Sequence, residues 1–299
     1  PQDIVIQKID TGSYFVPSEY KLEYEKYLKS DEAVKIKNRK DNSTRWMISN
    51  YETNFCKKNK KVYISLKKTD WLTLQFMWGK YKLSESKNKI ISDIFINKRI
   101  SPNSFCLHLV LLTKDEKIIT TAISKEKLND YPLTWAATIG EQIEKVDFSM
   151  GTEFDKNFVI NWVSRALKEE FGIYEDQFER IVFSDGIRVL SVDVEGDIGN
   201  ISLLTLVKMD VKFDEFIEES RKHPEIDKEF ASIDYVEIKD VPEIMVQTNI
   251  LNSKLHPSTF LRLQMTYLHI YGVNSFVMEY KKASKKRHKK VFFEKDIKD

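Results

Sequence analysis

Eight consecutive residues, Phe105-Cys106-Leu107-His108-Leu109-Val110-Leu111-Leu112, carry no acidic or basic side chain apart from one histidine. A strand that alternates apolar and polar residues can face solvent on one side. One that is apolar at nearly every position has to be covered on both faces. The run reads as such a buried strand, so the chain needs a layer on each side of a sheet. A polar turn follows, Lys114-Asp115-Glu116-Lys117, and then Ile118 to Ile123 (IITTAI), the expected return strand of a hairpin.

The strongest helix signal is Phe158 to Phe171. Val159, Val163, Ala166 and Glu170 recur at i, i+4, i+7 and i+11, along one stripe, and Gly172 is the expected stop. Further strands are expected at Arg45–Glu52, Val62–Leu66, Ile187–Val194, Ile201–Val211 and Tyr235–Ile238, with Trp71–Trp78 (WLTLQFMW) also rich in β-formers. Helices are expected at Ser18–Lys29 with Ser18 as N-cap, at Asp214–His223 and at Pro257–Tyr271, whereas Asp31–Thr44 reads as loop. Trp135 to Ile139 is a short apolar segment leading to Gly140-Glu141. Strands and helices mix without regular alternation, which points to an α/β/α sandwich around a mixed sheet, with a smaller N-terminal region. The expected division is a polar, helical region 1–60, a main domain 61–275 with its core at about 105–271, and a basic tail 276–299.

With 299 residues, 41% hydrophobic, the chain has material for one large core or two modest ones. No apolar run approaches the roughly 20 residues of a membrane span, so no membrane partner is expected. Two cysteines, Cys56 and Cys106, make no disulfide framework, and no signal-peptide segment opens the chain; a cytoplasmic setting is the expectation. Net charge is +2, but Lys281 to Lys290 reads KKASKKRHKK, a run able to neutralise phosphates or to remain a solvated surface. Lys285, Lys286, Arg287, Lys289 and Lys290 are its candidate nucleic-acid contacts. The aromatic stretch Trp71, Phe76, Trp78, Tyr81 is read as core rather than as a base-stacking platform. The five histidines show no metal-binding spacing; His108 reads as a core histidine, and no Walker loop, dinucleotide fingerprint or Gly-x-Ser-x-Gly elbow occurs.

A carboxylate on the inward stripe of a helix has to be paired, protonated or bound to a cation. Glu170 stands on that stripe with Glu169 beside it. A divalent ion is one reason to hold adjacent acids together; an Arg165–Glu169 pair at i,i+4 is the plainer alternative. Arg165-Ala166-Leu167-Lys168-Glu169-Glu170-Phe171-Gly172-Ile173 resembles the second half of the Nudix signature. Counting back from Arg165 puts Asn157 at the first Glu of that pattern and Gly151 at its first Gly. The strand context favours Gly140 as that glycine, with an insertion of about ten residues. Phe105–Ile123 resembles the hairpin that opens the Nudix fold. Glu229 before Tyr235-Val236-Glu237-Ile238 resembles its late loop carboxylate. The sequence departs from the pattern at Ala166 and Asn157, where glutamates are expected, which lowers the charge of any metal cluster.

The resemblance implies a Nudix-like fold and a divergent, metal-dependent hydrolase of a nucleoside-diphosphate-linked compound. Glu169 and Glu170 would hold Mg2+ or Mn2+, Arg165 would orient the carboxylates, and Glu141, Glu144 or Glu229 would handle the water. The alternative is a catalytically degenerate nucleotide-binding or regulatory module of the same fold. A nucleic-acid-associated protein is the third reading. The expected partner is a nucleotide-type small molecule, with nucleic acid and oligomerisation left open.

Overall fold

The computed structural model describes residues 4–14, 16–38, 44–56, 59–82, 103–125, 133–148, 155, 157–195, 200–251, 254–285 and 292–293. The architecture is mixed α/β, as the pattern of elements implies. Strands β1 (Ile4–Ser13), β2 (Thr44–Cys56) and β3 (Asn59–Asp70) form a three-stranded sheet in the order β1-β3-β2. β1 runs parallel to β3 and β2 antiparallel to it, so this sheet is mixed. A seven-stranded sheet contains β4 (Phe105–Leu112), β5 (Lys117–Ile123), β6 (Trp135–Ala137), β7 (Ile139–Gln142), β8 (Val182–Glu195), β9 (Asn200–Met209) and β10 (Phe230–Glu237). Its main path is β10-β5-β4-β9-β8.

The chain divides into two compact units. The first comprises Pro1–Leu107, Gln142–Trp162 and Val192–Leu203. The division does not follow the expected boundary at residue 60, because β3 pairs with β2 from Cys56↔Asn59 to Thr44↔Asp70. Both edge strands of the small sheet are tied off at a buried residue. On β1, the Ile6 N–H donates to the Asp155 carbonyl and the Asp155 N–H to the Ile6 carbonyl, both at 3.1 Å. On β2, the Asn103 amide accepts from the Ile48 N–H at 3.1 Å and donates to the Ile48 carbonyl at 3.0 Å.

Three expectations fail in this unit, each for an identifiable reason. Trp71–Trp78 belongs to a helix, Trp71–Lys82, and not to a strand. The Asp70 carboxylate accepts from the Thr73 N–H and the Thr73 hydroxyl, both at 2.9 Å, which starts the helix. Because Leu72, Leu74, Phe76, Met77 and Trp78 are all buried, no polar stripe exposes the helical period. Asp31–Asn38 is also a helix and not a loop; only Ala33 is buried, so no apolar stripe marks it. The Ala33 N–H donates to Ser30 Oγ at 3.3 Å. Ser18 opens a 3-10 turn, Ser18–Tyr20, and the α-helix proper is Lys21–Tyr27, without a side-chain cap.

The second unit comprises His108–Glu141, Val163–Ser191 and Leu204–Asp299. Its core gathers Val110, Ile118, Trp135, Leu204, Val236 and Leu263. The β4–β5 hairpin is adjacent and antiparallel as expected, with Leu112 opposite Ile118. Beyond that pair the hairpin opens as a fork, in which β5 takes β6 as a partner and β4 takes β7. Thr138 sits in the fork, fully buried. Its N–H donates to the Leu109 carbonyl at 2.9 Å and its hydroxyl to the Ile119 carbonyl at 2.7 Å. The same hydroxyl oxygen accepts from the Leu111 N–H at 3.0 Å, and the Thr138 carbonyl accepts from the Thr121 hydroxyl. On its other side β5 pairs antiparallel with β10.

The expected Pro257–Tyr271 helix is the first part of a longer one, Thr259–Ala283, which is broken at Gly272, at φ 80° and ψ 166°. At the hairpin turn, Asp115 accepts from the Thr113 hydroxyl at 2.7 Å and from the Phe213 N–H at 3.0 Å, and pairs with Lys117 Nζ at 3.0 Å. Burial pushes the Asp115 carboxyl up, but these hydrogen bonds outweigh it and hold it below its ordinary 3.8. A depressed folded-state value means the contribution is complete above the unfolded value and disappears as pH falls through the folded one. Asp115→Ala is expected to lower stability by roughly 1–3 kcal/mol at neutral pH. In thermal melts the gap between variant and parent should narrow below about pH 4; a gap independent of pH would refute this account.

Candidate functional site

The Phe158–Phe171 helix forms over the residues expected. At its start the Asn157 N–H donates to Asp155 Oδ1 at 2.9 Å, and the Asn157 carbonyl accepts from the Ile160 and Asn161 N–H groups. Val159, Val163 and Ala166 are fully buried and Glu170 is 5% exposed, so the inward stripe is real and ends in a carboxylate. Phe171 anchors the end, 5.1 Å from the rings of both Phe216 and Phe230. Full burial of one such side chain contributes about 1.5–3 kcal/mol.

The helix stops through Gly172, at φ 68°. A side chain there is strained by the backbone, and a Cβ would also lie 2.7 Å from His223 Cβ. The missing side chain lets His223 approach, with Nε2 3.2 Å from the Glu169 carbonyl oxygen. In the tautomer protonated at Nε2, the imidazole satisfies one of the carbonyls that a helix C-terminus leaves open.

Two turns before the stop, Arg165 is 9% exposed. Its Nη1 lies 2.6 Å from Glu169 Oε2 and 3.4 Å from Glu141 Oε1. The helix thus meets the end of β7 through a single guanidinium, which holds two of the expected site carboxylates. Glu229 closes the short helix Ile226–Glu229 just before β10, half-buried. Glu144 belongs to the first unit and is exposed. It caps a 3-10 turn, its N–H donating to Asp147 Oδ2 at 2.7 Å. Gly140 lies inside β7 with no left-handed φ, and a Cβ there would make ordinary contacts with His108 and Arg262. Gly151, Lys286, Arg287, Lys289 and Lys290 lie outside the described residues; Lys285 is exposed at the end of the last helix.

Two participants are absent from the sequence reading. His223 had no signal beyond its place at the end of an expected helix. Arg262 did have one: it shares a helical face with Thr259, Leu263, Thr266 and Tyr267, all buried. An arginine on such a face has to find acceptors. Its Nη1 donates to the Ile139 carbonyl at 2.8 Å and to that of Ala137 at 3.4 Å, and its side chain borders His108 at Gly140.

The donor set can be tested against Mg2+ or Mn2+. Such ions take several oxygen ligands at short range. Here Glu169 and Glu141 are engaged by Arg165, and the position one residue after it is a fully buried alanine, Ala166. Among the described residues, no group of three or more His, Cys, Asp or Glu side chains converges as a metal site would require. The residues as arranged do not fit the ion.

No protein-family profile matches the chain. No curated relative matches it either. Among solved structures, it is similar to a mutT/nudix family protein from Listeria innocua, at 15% identity and TM-score 0.37, covering 60% of this chain and 99% of that one. A bifunctional NMN adenylyltransferase/ADP ribose pyrophosphatase from Francisella tularensis matches at 12% identity and TM-score 0.33, over 68% of this chain and 48% of that one. A MutT/nudix family protein from Enterococcus faecalis matches at 12% identity and TM-score 0.29, over 70% and 91% respectively.

The helix stop generates a sharp expectation. Gly172→Ala adds a left-handed alanine, costing on the order of 1–2 kcal/mol, and drives a Cβ into His223. His223→Gly, which removes the Cβ that a residue-172 side chain would meet at 2.7 Å, should cost less alone, and the double variant Gly172→Ala/His223→Gly should recover part of the loss in denaturant titrations. Strictly additive losses would show that the Gly172–His223 contact is not the source of the clash.

Proposed function

We propose that this chain is a Nudix-like module that binds a nucleotide-type ligand, its hydrolytic metal cluster replaced by an arginine clamp. The carrying observation is Arg165, whose guanidinium holds Glu169 at 2.6 Å and Glu141 at 3.4 Å. These are carboxylates that the resemblance assigns to the metal and to the activation of water. Fully buried Ala166 supports the same reading, since it stands where the Nudix pattern has a glutamate. An arginine salt bridge fixes the relative position of two elements without a cation, and with alanine at position 166 the cluster is one carboxylate short of what metal-activated water would use.

The competing reading is a divergent hydrolase using Mg2+ or Mn2+, with Glu169 and Glu170 as ligands and Glu141, Glu144 or Glu229 as base. One observation favours it, the place of Glu170 at the buried end of the helix's inward stripe, 5% exposed.

Thermal shift and chromatographic product analysis over a panel of nucleoside diphosphate derivatives, with and without Mg2+ or Mn2+, separate the two. A binding module is stabilised by its ligand without metal and releases no product. Metal-dependent product release, abolished by Glu169→Gln or Glu170→Gln, would overturn the proposal in favour of the hydrolase. Ala166→Glu supplies a further check. At a fully buried position the longer side chain should cost about 1–3 kcal/mol by overpacking, and calorimetric titration should show no gain in metal binding.

A further inference from the structure

The break at Gly272 separates the last helix into two parts with different surroundings. Beyond the break, Phe276 packs on Tyr267 at 5.6 Å and stacks against Tyr280 at 5.9 Å, while the Ser275 and Tyr267 hydroxyls meet at 3.1 Å. Ala283 is buried, two turns after Phe276. Phe276 and Ala283 mark the attached face. The flank of the helix beside it is left open, and it is not polar. Val273 is 62% exposed and Val277 41%, and Tyr280 continues the line at 39%. At 100° per residue these three, at i, i+4 and i+7, form one stripe. Exposed Lys281 and Lys285 border that stripe, and beyond them Met278, 57% exposed, adds a second apolar edge. The sequence continues from Lys285 with Lys286-Arg287-His288-Lys289-Lys290.

We infer that this helical face docks on an anionic lipid bilayer, lying in the interface and not crossing it. No helix among the described residues is long and apolar enough to cross a membrane. Surface attachment needs something else: aliphatic side chains that enter the acyl boundary, with lysines at headgroup level. The expectation of no membrane partner rested on the absence of a spanning segment and does not bear on this mode. Charge complementarity selects the occupant. A second copy of the chain would bring two lysine rows together, and repulsion opposes that pairing. Nucleic acid would match the lysines and could stack on Tyr280, but it leaves the aliphatic Val273, Val277 and Met278 without a partner. An anionic bilayer satisfies both halves of the surface. The inference is independent of the nucleotide-binding proposal.

The test is co-sedimentation of the full chain with vesicles of phosphatidylcholine alone and of phosphatidylcholine with phosphatidylserine. Binding is expected only with phosphatidylserine. Lys281→Glu/Lys285→Glu should lower the partition coefficient by on the order of tenfold or more. Val273→Asp/Val277→Asp should lower it comparably, without altering the melting temperature, because both side chains are exposed. Three results would overturn the inference: no partitioning into anionic vesicles, partitioning that the two aspartates leave unchanged, or concentration-dependent dimerisation in light scattering that they abolish. Binding of the parent chain to single-stranded DNA with no binding to vesicles would replace the lipid by nucleic acid.

Discussion

A two-residue pairing, Leu112 opposite Ile118, is where β4 and β5 meet before they separate, and the larger sheet is organised by how that separation is filled. Buried strands cannot leave N–H and C=O groups unmet. Thr138 supplies what the fork lacks, donating from its backbone to β4, bridging Leu111 and Ile119 with its hydroxyl, and accepting from Thr121 with its carbonyl. An orphaned buried group costs about 1–3 kcal/mol, so one threonine between two strands holds in place much of what surrounds it. β6 and β7 continue from this point in opposite directions along the chain, and the end of β7 carries Glu141 to Arg165.

Two arginines then meet the polar ends of these short strands in different ways. Arg262 is buried and turned toward carbonyls, at the break between β6 and β7. Arg165 is turned toward carboxylates, one from β7 and one from its own helix. Each joins a helix to the same short stretch of chain. The same charge that orders Glu141 and Glu169 also offsets part of their repulsion.

Elements with a clear boundary between buried and exposed sides were legible in the sequence. The Phe158–Phe171 helix has an apolar stripe and a glycine stop, and β4 has seven apolar residues and one histidine in a row. Where burial was nearly complete, as in Trp71–Lys82, or nearly absent, as in Asp31–Asn38, the periodicity vanished and local capping by Asp70 and Ser30 decided the matter. At the candidate site, Arg165 and Glu169 could be paired from their spacing alone, since i,i+4 fixes their distance. The reach of Arg165 to Glu141 could not, because it depends on where β7 ends relative to the helix. His223 meets Glu169 across 54 residues through a space that only the backbone of Gly172 leaves open.

The small sheet shows how an exposed ladder can be closed without a further strand. β1 and β2 are its outer strands, and each would offer an incoming chain a row of donors and acceptors. At Ile6 a single residue, Asp155, takes both groups, and at Ile48 the amide of Asn103 does the same with its side chain. An amide carries a donor and an acceptor side by side, the same pair a neighbouring strand would present. Each of these two residues mimics one rung of a ladder, so that an incoming strand finds the donor and acceptor of Ile6 and of Ile48 already engaged.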